Sequence, residues 1–323
     1  MNNRIKSISL ILAMVMLVGL VGCATDKPKE TEVQDPVVQD TEVKDNGESP
    51  DSFIEVEDDF GNVVTFEKAP EKIISMAPSH TEILFALGLG DKIVGVTSYC
   101  DYPEEALEKE KIGDFNGINL ERVIELEPDL VINYGPGNEE ENLRLQEAGI
   151  QVLGYLPESI DEVIETIKSI GKATGVEDKA QTVTENMLEK KDEILEKIKD
   201  TEKVKVFYEI WHDPLQAAGA GSFMDNLINL ANGDNIAKDA EGEYPQYDLE
   251  QLVERDPEVY LTSADMPDKT VESISQRPGY SDITAIKEGN VYILDANITS
   301  RPGPRIIEAL EIVAKAIHPE VFK

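Results

Sequence analysis

The chain has 323 residues, more than one ordinary domain needs, so two domains are the first expectation. Its 65 Asp and Glu outnumber 30 Lys and Arg, a formal charge of −35 that repels polyanions and excludes a phosphate-gripping, nucleic-acid-binding surface. Two cysteines, Cys23 and Cys100, exclude a disulfide scaffold, and the scattered His80, His212 and His318 show no metal-ligand spacing.

Positive charge at Arg4 and Lys6 precedes an apolar run from Ile8 to Gly22, too short for a comfortable membrane helix and suited to a signal-peptide core. The run stops at Cys23, after Leu20-Val21-Gly22. Small residues before a cysteine resemble the lipobox of bacterial lipoproteins, which implies cleavage after residue 22 and lipid attachment at Cys23. Two acyl chains give stable anchoring where one does not. From Ala24 to Ser52 nine acidic residues and three lysines accompany Thr, Val and Pro without apolar periodicity; residues 23–52 therefore read as a disordered acidic tether at the outer face of a membrane.

The folded body is expected from Phe53, opening on a hairpin that turns at Asp59–Asn62. Short apolar runs then alternate with helical patterns. Strands are predicted at 73–76, 93–97, 130–133 and 151–154, and helices at 81–87, 120–126, 138–148 and 160–174. Such alternation implies parallel strands covered by helices, an N-terminal α/β lobe over 53–176. Residues 177–200 contain no Gly or Pro, and Ala180, Val183, Met187, Leu188, Ile194, Leu195 and Ile198 recur at helical spacing. A rod of roughly 35 Å follows from about 1.5 Å per residue, read as a bridge between lobes. Strands at 204–210, 259–262 and 291–294, with helices at 222–231, 248–254 and 303–317, make a second α/β lobe over 201–323. The fold class is α/β: two lobes with mainly parallel sheets, one long joining helix, and a cleft between them where a small ligand binds.

No phosphate-binding glycine loop, dinucleotide fingerprint, zinc-protease or hydrolase-elbow motif occurs. Cys100 has no neighbouring histidine to act as its base. No enzymatic apparatus and no resident cofactor or metal are expected.

Several strings carry a family resemblance: Pro70–Gly90 with its Met-Ala-Pro-Ser-His-Thr-Glu, Val94–Pro103, Asn119–Val123, Glu127–Leu130, Ala218–Phe223, Tyr244–Glu250 and Ser300–Arg305. In that order, and across both lobes, they resemble the substrate-binding proteins of ABC importers for cobalamin, haem and ferric siderophores. The resemblance implies capture of a metal chelate, here a cobalamin-like cobalt corrinoid, and delivery to a permease dimer driven by a cytoplasmic ATPase. Its motif-matched positions imply ligand contact by Tyr99, Phe115, Tyr134, Trp211 and Arg301, and permease docking by Glu121 and Glu250. Arg305 is the candidate to hold the Arg301 loop through carboxylates. Flat aromatic side chains suit a flat macrocycle. Asn297 and Ile298 stand where some cobalamin binders carry an acidic residue and an aromatic. Haem and ferric siderophores are the alternative ligands, with Tyr99, Tyr134 or His212 available to haem iron. A chelate-modifying enzyme and a sensor lipoprotein are the rivals from other classes.

Overall fold

A computed structural model describes residues 54–114, 117–264 and 269–323. The leader, Cys23, the tether and Phe115 lie outside the described residues.

The first lobe opens with an antiparallel hairpin, β1 (Ile54–Glu57) and β2 (Val63–Phe66). Asp58 fixes its turn: the carboxylate accepts from the backbone N–H of Phe60 and Asn62 at 2.9 Å and reaches Gly154 N at 2.8 Å. That last bond pins the hairpin to the main sheet. The chain continues through β3 (Ile73–Ser75), α1 (Pro78–Ala86), β4 (Ile93–Val96) and the short pair β5 (Gly113–Asp114) and β6 (Gly117–Ile118). Then come α2 (Leu120–Glu125), β7 (Leu130–Tyr134), α3 (Glu139–Glu147), β8 (Gln151–Tyr155) and α4 (Ile160–Ala173). The four long strands form a parallel sheet in the order β4-β3-β7-β8. Helix α1 starts three residues before its predicted Thr81, because Pro78 has the φ of a first helical residue and no N–H to leave unpaired.

Helix α5 (Glu177–Ile198) joins the lobes. Its buried residues are Ala180, Thr184, Met187, Ile194 and Ile198, a single stripe at spacings of three, four and seven. Three predicted members of that stripe fall off it. Leu188 is exposed, and Val183 and Leu195 are only partly buried; near Val183 the stripe runs one position away through Thr184, whose hydroxyl bonds back to Ala180 O at 2.9 Å. Lys191 reaches Asp161 of α4 at 2.5 Å.

The second lobe contains β9 (Val204–His212), β10 (Leu215–Ala217), α6 (Phe223–Leu230), β11 (Gly233–Asn235), α7 (Leu249–Arg255), β12 (Val259–Ser263) and α8 (Val271–Ser275). It ends with α9 (Thr284–Glu288), β13 (Val291–Leu294), α10 (Ala296–Thr299) and α11 (Ile306–Ile317). Strands β9, β12 and β13 run parallel, with β11 parallel to the start of β9 and β10 antiparallel to its end.

The strand sequences read as unbroken apolar runs because both faces of each sheet are covered. Ile73, Leu130, Ile132 and Leu153 of the first sheet, and Val206, Tyr208, Val259 and Leu261 of the second, turn toward one shared core. Helices α4, α5, α6 and α11 fill that core, so a continuous apolar layer runs from lobe to lobe. The opposite sheet faces have smaller cores of their own, around Ile74, Val131 and Val152 in one lobe and Phe207, Tyr260 and Val291 in the other.

Candidate functional site

In open parallel sheets, ligands bind beyond the carboxyl ends of the strands. Three loops at those ends converge here: Ala77-Pro78-Ser79 after β3, Tyr99 after β4, and Tyr134 as the last residue of β7. From the second lobe the segment after β13 faces them with Ala296, Asn297, Ser300, Arg301 and Pro302. Together these residues enclose a pocket of about 260 Å³ between the lobes. A larger depression of about 750 Å³ lies by Thr65, Lys68, Asp129 and Gln151, at the opposite ends of the strands. There the Asp129 carboxylate accepts from the N–H groups of Glu71 and Lys72, which is a structural task.

Tyr99 and Tyr134 remain 45% and 43% exposed, so apolar ring surface faces the opening. Behind Tyr134 lies His80, fully buried, with ring centroids 5.8 Å from Tyr134 and 6.1 Å from Tyr155. Neither of its ring nitrogens has a hydrogen-bond partner among the described residues, and burial holds its pKa down to about 3. Burial therefore favours the neutral imidazole at neutral pH. Burial also pushes the Tyr134 hydroxyl up, reinforced by Tyr244 and Glu158. Glu158 is pushed up by burial and then by Glu243, so Tyr134 and Glu158 of one lobe stand near Glu243 and Tyr244 of the other.

Arg301 lines the pocket, and two of its five N–H donors are engaged. Nη1 donates to Asp101 Oδ1 at 2.5 Å and lies 3.6 Å from Glu82, and Nη2 donates to Asn297 Oδ1 at 2.6 Å. Arg305 donates to both Glu82 oxygens at 2.9 and 2.6 Å and lies 3.8 Å over the Tyr102 ring. This is the carboxylate anchoring expected of Arg305. Arg301 takes part in the same anchor as well as in the pocket wall. Glu82, Asp101 and Tyr244 were not singled out from the sequence as site residues. Arg305 and Glu82 lie 223 positions apart, and no local pattern links them.

The structure does not bring Trp211 to this pocket. Strand β9 runs two residues beyond its predicted end, so Trp211 sits inside the β9–β10 ribbon opposite Gln216, and its indole N–H donates to Asp213 O at 2.9 Å. His212 is exposed beside it, and Cys100 is buried, with Thr81 Oγ1 donating to Sγ at 3.1 Å; neither lines the pocket. Glu121 and Glu250 are both exposed in first turns, of α2 capped by Asn119 and of α7 capped by Asp248, where the helix dipole favours a carboxylate.

The pocket is a binding surface of rings, small residues and satisfied charges. Among the described residues no group of three His, Cys, Asp or Glu is arranged to hold a metal ion.

Residues 73–298 match the family model described as periplasmic binding protein. An uncharacterized ABC transporter substrate-binding lipoprotein of Bacillus subtilis (strain 168), YvrC, is 37% identical over 98% of this chain and 97% of its own length. Among solved structures, the periplasmic vitamin B12-binding protein of Vibrio cholerae aligns with a TM-score of 0.68 and 28% identity, over 79% of this chain and 98% of that one. The periplasmic haem-binding protein RhuT of Roseiflexus sp. RS-1, in its apo form, aligns with a TM-score of 0.70 and 26% identity, over 78% and 99%. The two-lobed fold, its interlobe pocket and these matches agree: the chain belongs to the periplasmic binding protein family.

Proposed function

We propose that this protein is the extracytoplasmic substrate receptor of an ABC importer, and that its cargo is a cobalt corrinoid related to cobalamin. The observation that carries the reading is the interlobe pocket with two half-exposed tyrosines facing a charge-balanced arginine loop. A volume of about 260 Å³ is small for a whole macrocycle, so the pocket seats one edge while the rest spans the open cleft. Tyr99 and Tyr134 contact the macrocycle, Arg301 offers its remaining N–H groups, and Phe115 and Trp211 are the outer candidates for contact. The likeness to a vitamin B12-binding protein supports this choice. Haem is the second reading, supported by the haem-binding neighbour and by two phenol oxygens at the pocket that could reach an iron.

Lipid attachment at Cys23 would hold the receptor at the outer face of the membrane, in line with a relative named as a lipoprotein. Glu121 and Glu250, one on each lobe, register it on a permease through basic residues there. Charge pairing of this kind sets encounter rate and orientation more than affinity. The test is the double variant Glu121→Lys/Glu250→Lys. Corrinoid binding in solution should stay within about threefold of wild type while cellular uptake is lost; unimpaired uptake would refute the docking assignment.

A further inference from the structure

One guanidinium, that of Arg301, lines the pocket; Arg305 shares the carboxylate Glu82 with it, and Asp101 is its second anionic partner. Glu82 is buried, gripped at both oxygens by Arg305 and 3.6 Å from Arg301, so it cannot turn outward. Asp101 differs: its side chain is about half exposed, it is held by the pocket-lining Arg301, and Arg301 is its only ion-pair partner among the described residues. Arg301 and Arg305 against Glu82 and Asp101 leave this cluster with no net charge. Beside Asp101, Arg301 keeps N–H donors that neither Asp101 nor Asn297 takes, since a guanidinium has five.

We propose that Asp101 is a specificity-determining residue: by occupying Arg301 it makes the pocket select a neutral carboxamide edge and reject a carboxylate. The reasoning rests on the corrinoid reading above. A carboxamide satisfies such a pair in both directions, its oxygen accepting from Arg301 and its NH₂ donating to Asp101. A carboxylate accepts only, and it would stand against Asp101 and Glu82 with its one available cation already shared. The Arg301 hydrogen bond holds the Asp101 carboxyl below the usual carboxylate range, so it stays an anion, and an acceptor, at neutral pH. Net acidity of the whole chain works in the same direction, disfavouring an anionic guest at long range.

The test uses cyanocobalamin and its monocarboxylate derivatives, each with one peripheral propionamide replaced by propionate. Their affinities are measured by equilibrium titration at neutral pH for the folded wild type and for Asp101→Asn. Asn keeps the shape and a carbonyl acceptor for Arg301 while removing the charge. In the wild type at least one monocarboxylate should bind about tenfold or more weakly than the amide, and in Asp101→Asn that ratio should shrink about tenfold or invert. Raised salt should narrow the wild-type ratio, because the discrimination is electrostatic. Equal ratios in the two proteins would overturn the role of Asp101 and leave the corrinoid reading standing. Failure of the wild type to bind either form would overturn the corrinoid reading and the selectivity with it.

Discussion

His80 shows most sharply how the first lobe supports the site. Its ring is fully enclosed, packs behind Tyr134, and lacks a partner at either nitrogen among the described residues. A buried polar group left unpaired costs about 1–3 kcal/mol, so the position is held at some expense to stability. Burial lowers the folded-state pKa to about 3 from an ordinary value of 6.5. The unfolded chain therefore binds a proton that the folded chain refuses. The stability linked to this group is complete above about pH 6.5 and is lost progressively as the pH falls toward 3. His80→Leu removes the titration. Between pH 7 and pH 5 the variant should lose less stability in urea denaturation than the wild type, by about 2 kcal/mol. Parallel pH profiles for the two proteins would show that His80 is hydrated or paired in solution.

At the scale of elements, the second lobe is organised by a charge that the sequence disguises. Glu209 lies mid-strand in β9 with no exposure at all, and Tyr260 and Arg277 donate to its carboxylate. Lys269 Nζ stands 3.8 Å away and donates to Thr262 Oγ1 at 3.2 Å. The network joins the segment carrying α8 to the middle of β9 and to β12. Removing one partner of a buried pair strands the other, at a cost of about 3–5 kcal/mol. Arg277→Leu should lower the unfolding free energy by about 3 kcal/mol in chemical denaturation. A loss below about 1 kcal/mol would mean that Lys269 alone suffices for Glu209.

The same elements show what could be read in advance. The long parallel strands, the joining helix and the two lobes follow from apolar runs and a Gly-free amphipathic stretch, because burial on both sheet faces imprints directly on composition. Strands β5, β6, β10 and β11 were missed: at two or three residues they are too short to carry a period. Missing β10 also hid the setting of Trp211, since the pairing with β10 extends β9 to His212. Tyr99, Tyr134 and Arg301 were legible through local motifs. The partners Glu82 and Asp101 were not, because complementarity across 200 or more positions exists only in the folded chain.

On the scale of the whole molecule, the lobes do not hinge on a bare linker. One apolar core runs through both sheets and through α4, α5 and α11, while the arginine loop is fastened to the first lobe by ion pairs at Glu82 and Asp101. A shared core of this kind resists large rigid-body opening, so affinity must come from pre-formed walls rather than from closure. That those walls hold the guest can be checked by equilibrium titration of the folded chain with cyanocobalamin, haem and a ferric siderophore, for wild type, Tyr99→Ala and Tyr134→Ala. The corrinoid should bind saturably and one-to-one, tighter than about micromolar, and each substitution should weaken that binding about tenfold or more. Absence of binding by every chelate, or corrinoid binding indifferent to both tyrosines, would contradict that expectation.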